Sequence, residues 1–147
     1  FAVVTLVREK DKNGNILGEA TSLEKWQGLG KTSPLLATSM TIFLLSFAGI
    51  PLTGGFIGKF AAFAAGVGSG ETVLVVLAVL ASAATAFFYF RIIVAMFFKD
   101  PVEGTTTVTS EGFSIVAIVA CAILTLVLGL FPQPVFDFLD QAAVFML

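Results

Sequence analysis

Gly49-Ile50-Pro51-Leu52-Thr53-Gly54-Gly55-Phe56-Ile57-Gly58-Lys59-Phe60 decides how this chain is read. The run lies inside an apolar stretch, 35–66, that would otherwise form one long helix. Proline cannot donate to a helical ladder and clustered glycines free the backbone to leave it, so the stretch predicts a helix broken between Gly49 and Gly55. Length points the same way: residues 34–66 as one straight helix would measure roughly 48 Å, against ~30 Å for the hydrocarbon core of a bilayer. Beside the break sits a charge, Lys59. An ammonium in hydrocarbon is costly, so such residues face a bundle interior or a wet cavity and often mark an ion path. Unwound backbone at membrane depth is tolerated where it is buried in protein or lines a cavity, and discontinuous helices hold ion sites in transporters.

Composition sets the class. With 57% hydrophobic residues, 12% charged and a mean hydropathy of +1.00, the chain reads as an all-α integral membrane protein. It contains no histidine, so a histidine-ligated haem or a histidine-based dyad is not available within it. Cys121 has no second cysteine to pair with and is expected to be a small buried apolar residue. A net charge of −2 and a pI near 4.9 exclude a nucleic-acid partner. There is no GxGxxG after a strand, and one cysteine cannot hold an iron–sulfur cluster, so no cofactor, metal or catalytic site is expected in this chain.

Three hydrophobic segments follow from the pattern: 34–66 with its break, 72–98, and 113–131, the last meeting Pro132 and Pro134. In the tail 132–147, residues 135–147 read as a short interfacial helix, since Phe136, Phe138, Leu139, Val144 and Phe145 interleave with Asp137, Asp140 and Gln141. Residues 1–7 lack an initiator Met, a basic n-region and a small-residue cleavage site, so they read as the end of a helix that begins upstream. On that reading the chain is a C-terminal piece of a longer membrane protein; the alternative is a processed short subunit.

Charge in the connections gives an orientation. Segment 8–33 carries Arg8, Lys10, Lys12, Lys25 and Lys31, segment 67–71 carries no Lys or Arg, and segment 99–112 opens with Lys99. The positive-inside rule then places 8–33 and 99–112 in the cytoplasm and the C-terminus on the opposite face. Thr21 to Glu24 resembles a capping box, and Leu23, Trp26 and Leu29 form an apolar face expected to lie on the membrane surface with Trp26 at headgroup level. Residues 105–110 read as a flexible linker.

Several side chains have two readings. Lys59 precedes Gly66 by seven residues, about 10 Å along a helix, so it either serves an ion path or snorkels to the outer interface. Gly49, Pro51, Gly54, Gly55 and Gly58 either support an ion site through the break or only kink the helix and admit a neighbour. Ser46 and Thr53 share a stripe with Ser39, and Ser82, Thr85 and Tyr89 share a face of the next span. These hydroxyls either hydrate a path or bond to neighbouring helices and the preceding turn. For Arg91 snorkelling or a structural pair is favoured, and Asp137 and Asp140 read as a solvated face.

The run Met40 to Phe60, together with Gly28-Leu29-Gly30-Lys31-Thr32-Ser33-Pro34 before it, Tyr89-Phe90-Arg91 and Leu128-Gly129-Leu130-Phe131-Pro132-Gln133-Pro134, resembles the antiporter-like membrane subunits of proton-pumping NADH:quinone oxidoreductase, respiratory complex I. The resemblance covers essentially the whole chain. Within the family, Lys59, where a sibling type carries Glu, and the short tail after Phe131, where another has a long lateral helix, favour the N type. It implies inverted repeats, each with a broken helix, and Lys59 as the ionisable residue of a half-channel. NADH, FMN, iron–sulfur clusters and quinone would belong to partner subunits; this chain would meet other membrane-arm subunits and the lipid of the inner (plasma) membrane. Two alternatives stay open: a subunit of a multisubunit cation/proton antiporter, and a structural membrane subunit whose lysine snorkels.

Overall fold

Ser33-Pro34 opens the first long helix, because proline's missing N–H is no loss at the first helical position. The computed structural model, which describes residues 1–11, 13, 15–102, 107–108, 112–134 and 136–137, is mostly helical. A short helix α1 (Ala2–Leu6) leads into strands β1 (Val7–Lys10) and β2 (Ile16–Glu19), a 3₁₀ turn (Leu23–Trp26) and the single-turn α2 (Leu29–Thr32). Then come α3 (Pro34–Ala48), α4 (Gly54–Gly68), α5 (Thr72–Phe98), strand β3 (Thr107–Val108) and α6 (Gly112–Leu130).

The break lies where the glycines and proline put it. Gly49 takes a left-handed conformation, φ 80°, which only glycine adopts without steric cost. Its N–H donates to the carbonyls of Leu45 and Ser46 at 3.1 and 3.0 Å, and that of Ile50 to Leu45 at 3.0 Å, which closes α3. The two half-helices have 15 residues each, about 22 Å, so neither alone crosses a ~30 Å core. By contrast α5 and α6, with 27 and 19 residues, are each long and apolar enough to cross a membrane.

Helix α3 packs against α4, α5 and α6, and α4 also touches α5 and α6. Gly129 of α6 meets the backbone of Leu52 and Thr53, which seats α6 directly against the break. The buried core lies mainly at the end of the bundle where the connections gather: Val3, Leu6, Val7, Ala20, Trp26, Leu29, Leu36, Ala37 and Met96. Further along, Val73, Leu77, Leu80 and Phe87 of α5 are exposed. Apolar surface on that scale is a liability in water and no cost in hydrocarbon.

The connections differ from their sequence reading. Segment 8–33 contains a β-hairpin, and β1 also pairs antiparallel with β3, giving the order β2-β1-β3 with Arg8 opposite Glu19 and Val7 opposite Val108. Thr107 and Val108 are therefore strand and not linker; so short a strand has no periodicity to detect and exists only through its partner. Trp26 does not lie on an exposed apolar face. Its ring is buried, which is possible because its Nε1–H donates to the carbonyl of Ala20 at 3.0 Å. The capping box at Thr21 does not form either, since the turn is capped at Ser22 with no side-chain hydrogen bond. Cys121 is exposed, not buried, at the rim of a cavity it shares with Phe1, Met40 and Phe47. The interfacial-helix reading of the tail falls mostly outside the described residues; within them, the Phe136 N–H donates to the Pro132 carbonyl at 3.2 Å.

Candidate functional site

A helix leaves its last four carbonyls without intrahelical partners. At the end of α3 these belong to Leu45, Ser46, Phe47 and Ala48, and Gly49 and Ile50 satisfy the first two. The other two are taken by a side chain from across the break: Lys59 of α4 donates from Nζ to the carbonyl of Phe47 at 2.7 Å and to that of Ala48 at 3.2 Å. A third bond runs from Nζ to Ser82 Oγ on α5 at 2.5 Å. An ammonium has three donors, and all three are engaged. It sits at the negative end of the α3 dipole, where a cation is stabilised.

This geometry turns Lys59 toward the break and away from the Gly66 end of α4, the reverse of the direction that snorkelling to the outer interface requires. The lysine is half-buried and not enclosed, and α4 has no fully buried residue. Beside Nζ opens a cavity of about 270 Å³ lined by Gly49, Phe56, Lys59, Phe63, Ser82 and Ala86.

The glycines of the break do unequal work. A methyl group on Gly49 would stand 2.8 Å from Lys59 Cδ, and one on Gly55 would run into the carbonyl of Ser46. Gly54 faces Leu128 and Thr125 of α6, whereas Gly58 has nothing within 4 Å of where a Cβ would be. Pro51 is exposed in the turn.

The hydroxyls grouped from the sequence do not converge. Ser46 Oγ accepts the N–H of Gly55 at 3.0 Å, Thr53 donates to the Ile50 carbonyl at 2.7 Å, and Thr85 donates to the Ser82 carbonyl at 2.9 Å. Tyr89 places its ring 6.1 Å from that of Phe47. Of these residues Ser82 alone bonds to Lys59. Arg91 lies elsewhere, exposed, in a cavity of about 550 Å³ shared with Thr21, Trp26, Met40 and Phe88. The carbonyls of Phe47 and Ala48 escaped the sequence reading because backbone oxygens carry no residue signature. The available clue was that α3 had to end just before Gly49. Thr125 was also missed; with Ser46, Gly55, Gly58 and Pro132 it lines a second cavity, of about 450 Å³, on the α6 side of the break.

At the far end of α5, Lys31 Nζ and Asp100 Oδ1 are 2.6 Å apart. That hydrogen bond and the lysine charge hold the exposed Asp100 carboxyl below the usual carboxylate range. The Gly28 N–H donates to the Ala95 carbonyl at 3.2 Å. The Gly28 to Lys31 segment is thus docked on the end of α5.

Comparison with known proteins joins these features to a family. The chain is 55% identical to the NADH-quinone oxidoreductase subunit N of Thermobifida fusca over 138 residues, which is 93% of this chain and 24% of that protein. It resembles a chain in the structure of respiratory complex I from Thermus thermophilus with bound aureothin, with a TM-score of 0.73 and 34% identity over 80% of this chain and 27% of that one. It shares its fold with a chain of the Mrp complex from Dietzia, with a TM-score of 0.63 and 21% identity over 83% of this chain and 30% of that one. The chain thus spans about a quarter of the length of the curated relatives it matches. The model of the family described as NADH:quinone oxidoreductase/Mrp antiporter, transmembrane, matches residues 1–85, more than half of the 147 residues, and the chain belongs to that family of antiporter-like membrane subunits.

Proposed function

We propose that this chain is part of an N-type subunit in the membrane arm of NADH:quinone oxidoreductase, and that Lys59 is a proton carrier in it. The observation that carries the reading is the position of Nζ: a titratable amine held by the free carbonyl end of a broken helix, beside a cavity. When protonated, Lys59 ties the end of α3 to α4 and α5. When neutral, it keeps two N–H groups for the same carbonyls, so the proton can leave without the helix end losing its partners. The similarity to subunit N supports the choice of complex. NADH oxidation, flavin, iron–sulfur and quinone chemistry are then assigned to partner subunits, and the chain crosses the inner (plasma) membrane several times.

A structural reading competes on the same geometry, because a lysine that caps α3 would make the same bonds to Phe47 and Ala48 without ever titrating. Arginine separates the two. It reaches carbonyls with several N–H groups and keeps the charge, but does not release a proton. The test is the proton-pumping rate per assembled complex in membrane vesicles with Lys59→Arg in the full-length subunit: loss of pumping in an intact complex supports the carrier, and wild-type pumping overturns it.

A further inference from the structure

The three groups around Nζ of Lys59 are not equivalent. Phe47 and Ala48 offer carbonyl oxygens, which only accept; Ser82 offers a hydroxyl, which accepts through its lone pairs or donates its hydrogen. An ammonium has three N–H groups and no lone pair, so around the charged lysine all three partners must accept. A neutral amine has two N–H groups and one lone pair. With the two N–H groups on the carbonyls, the lone pair faces Ser82, and a carbonyl in that place would oppose it oxygen to nitrogen with no hydrogen between them. A hydroxyl answers by rotating. Among the described residues Ser82 Oγ has no hydrogen-bond partner besides Lys59, so nothing holds its hydrogen in one orientation. Thr85, which bonds to the Ser82 carbonyl and not to its hydroxyl, leaves that freedom intact.

We infer that Ser82 is a positioning residue for proton transfer. It accepts from Lys59 when the lysine is charged and donates to it when the lysine is neutral, which keeps Nζ at the end of α3 in both states. This rests on the reading of Lys59 as a carrier. The proton leaves Nζ for water in the adjoining cavity and returns by the same kind of transfer; Ser82 turns its O–H bond and neither gains nor loses a proton. The charged and titratable groups on the surrounding helices are few. α3 has none, α4 has Lys59 alone, and α6 has the thiol of Cys121. On α5 the phenol of Tyr89 and the guanidinium of Arg91 lie about 10 and 14 Å along the helix from Ser82. None of these others lines the cavity beside Nζ.

The test measures proton pumping against pH in vesicles containing the full complex, per assembled complex as judged on native gels, for wild type, Ser82→Ala, Ser82→Thr and Lys59→Ala. Ser82→Ala should pump several-fold more slowly. The alkaline limb of its profile should move to lower pH by about half a unit or more, since the charged state loses a charge-assisted bond and the neutral state one about half as strong. Ser82→Thr, which keeps the hydroxyl, should restore both rate and profile. A wild-type rate and profile in Ser82→Ala, with Lys59→Ala inactive, overturns the role of Ser82 and leaves the carrier standing. Equal loss in Ser82→Ala and Ser82→Thr also overturns it, because the hydroxyl is then not what matters. Wild-type pumping in Lys59→Ala overturns both readings. Should Ser82→Ala fail to assemble, Ser82→Cys, whose thiol is a weak partner, takes its place: a displaced profile supports the inference and a wild-type profile overturns it.

Discussion

Lys59 Nζ stands 2.7 Å from the carbonyl oxygen of Phe47, although the two residues belong to different helices separated by a turn. The lysine is in effect the last cap of α3, supplied by α4. One side chain therefore serves two ends: it satisfies the broken helix and it presents a titratable nitrogen at the break.

Those two roles come apart under mutation. Lys59→Ala takes the lysine donor from the part-exposed carbonyls of Phe47 and Ala48, and a lost charge-assisted hydrogen bond costs about 1.5–3 kcal/mol at most. It should lower both the thermal midpoint of the complex and its pumping. Lys59→Arg should keep the midpoint near wild type while pumping falls at least about tenfold, within the range that a positioned proton-transfer group contributes. Thermal scans and pumping assays on the same vesicles give both numbers. An arginine variant that is fully active but as stable as wild type would make the lysine a cap and nothing more.

The glycines of the break should rank by what surrounds them. Gly49→Ala forces a left-handed φ on a residue with a Cβ, at about 1–2 kcal/mol, and presses on the flexible stem of Lys59. Gly55→Ala meets the backbone of Ser46, which cannot step aside unless α3 and α4 part, so it should be the most damaging of the three. Gly58→Ala has open space and a helical position, and should be neutral or gain up to about 1 kcal/mol. Complex content and thermal midpoint measure the order. If Gly58→Ala proved as harmful as Gly55→Ala, the packing described for the break would be wrong.

The pairing of β1 with β3 ties the segment before α3 to the segment between α5 and α6, so both must lie on one side of the membrane. Single cysteines at Asn15 and Lys99 should react with an impermeant thiol reagent from the cytoplasmic face, and one at Ser69 from the other. Such labelling requires a background in which the exposed Cys121 is replaced. Labelling of Asn15 and Lys99 from opposite faces would contradict the sheet.

The Lys31–Asp100 pair predicts a pH response. Because the folded carboxyl lies below its ordinary value, the contribution of the pair is fully present above the usual aspartate range and is lost as pH falls through the folded value. The pair is exposed, so the effect on overall stability should be small and reduced by salt. Carbodiimide labelling of Asp100, read by mass spectrometry, should set in at more acidic pH in wild type than in Lys31→Ala. Identical onset in the two would show that Lys31 does not hold the carboxyl.

Much of the fold was legible because its signals are local. Pro51 and the glycines around it announce a broken helix, the length of 72–98 and 113–131 announces spans, and Lys59 stands out as a charge in an apolar run. What was not legible depends on partners distant in the chain. Thr107 and Val108 become a strand only by meeting Val7 and Arg8, and Trp26 can be buried only because the Ala20 carbonyl is within reach of its N–H.

At the site the division is sharper. The sequence alone determined that a lysine follows a helix break and that hydroxyls lie on the neighbouring helices, since residue type and spacing are enough for that. It could not rank Ser46, Thr53, Ser82, Thr85 and Tyr89, because helical periodicity gives a face and not a partner. Only the tertiary structure decided that Ser46, Thr53 and Thr85 engage backbone groups while Ser82 meets the lysine, and that the lysine turns back to the carbonyls of Phe47 and Ala48. The physical reason is that a hydrogen bond reaches only about 3 Å, so the choice among several candidates on one face is made by how α3, α4 and α5 settle against each other.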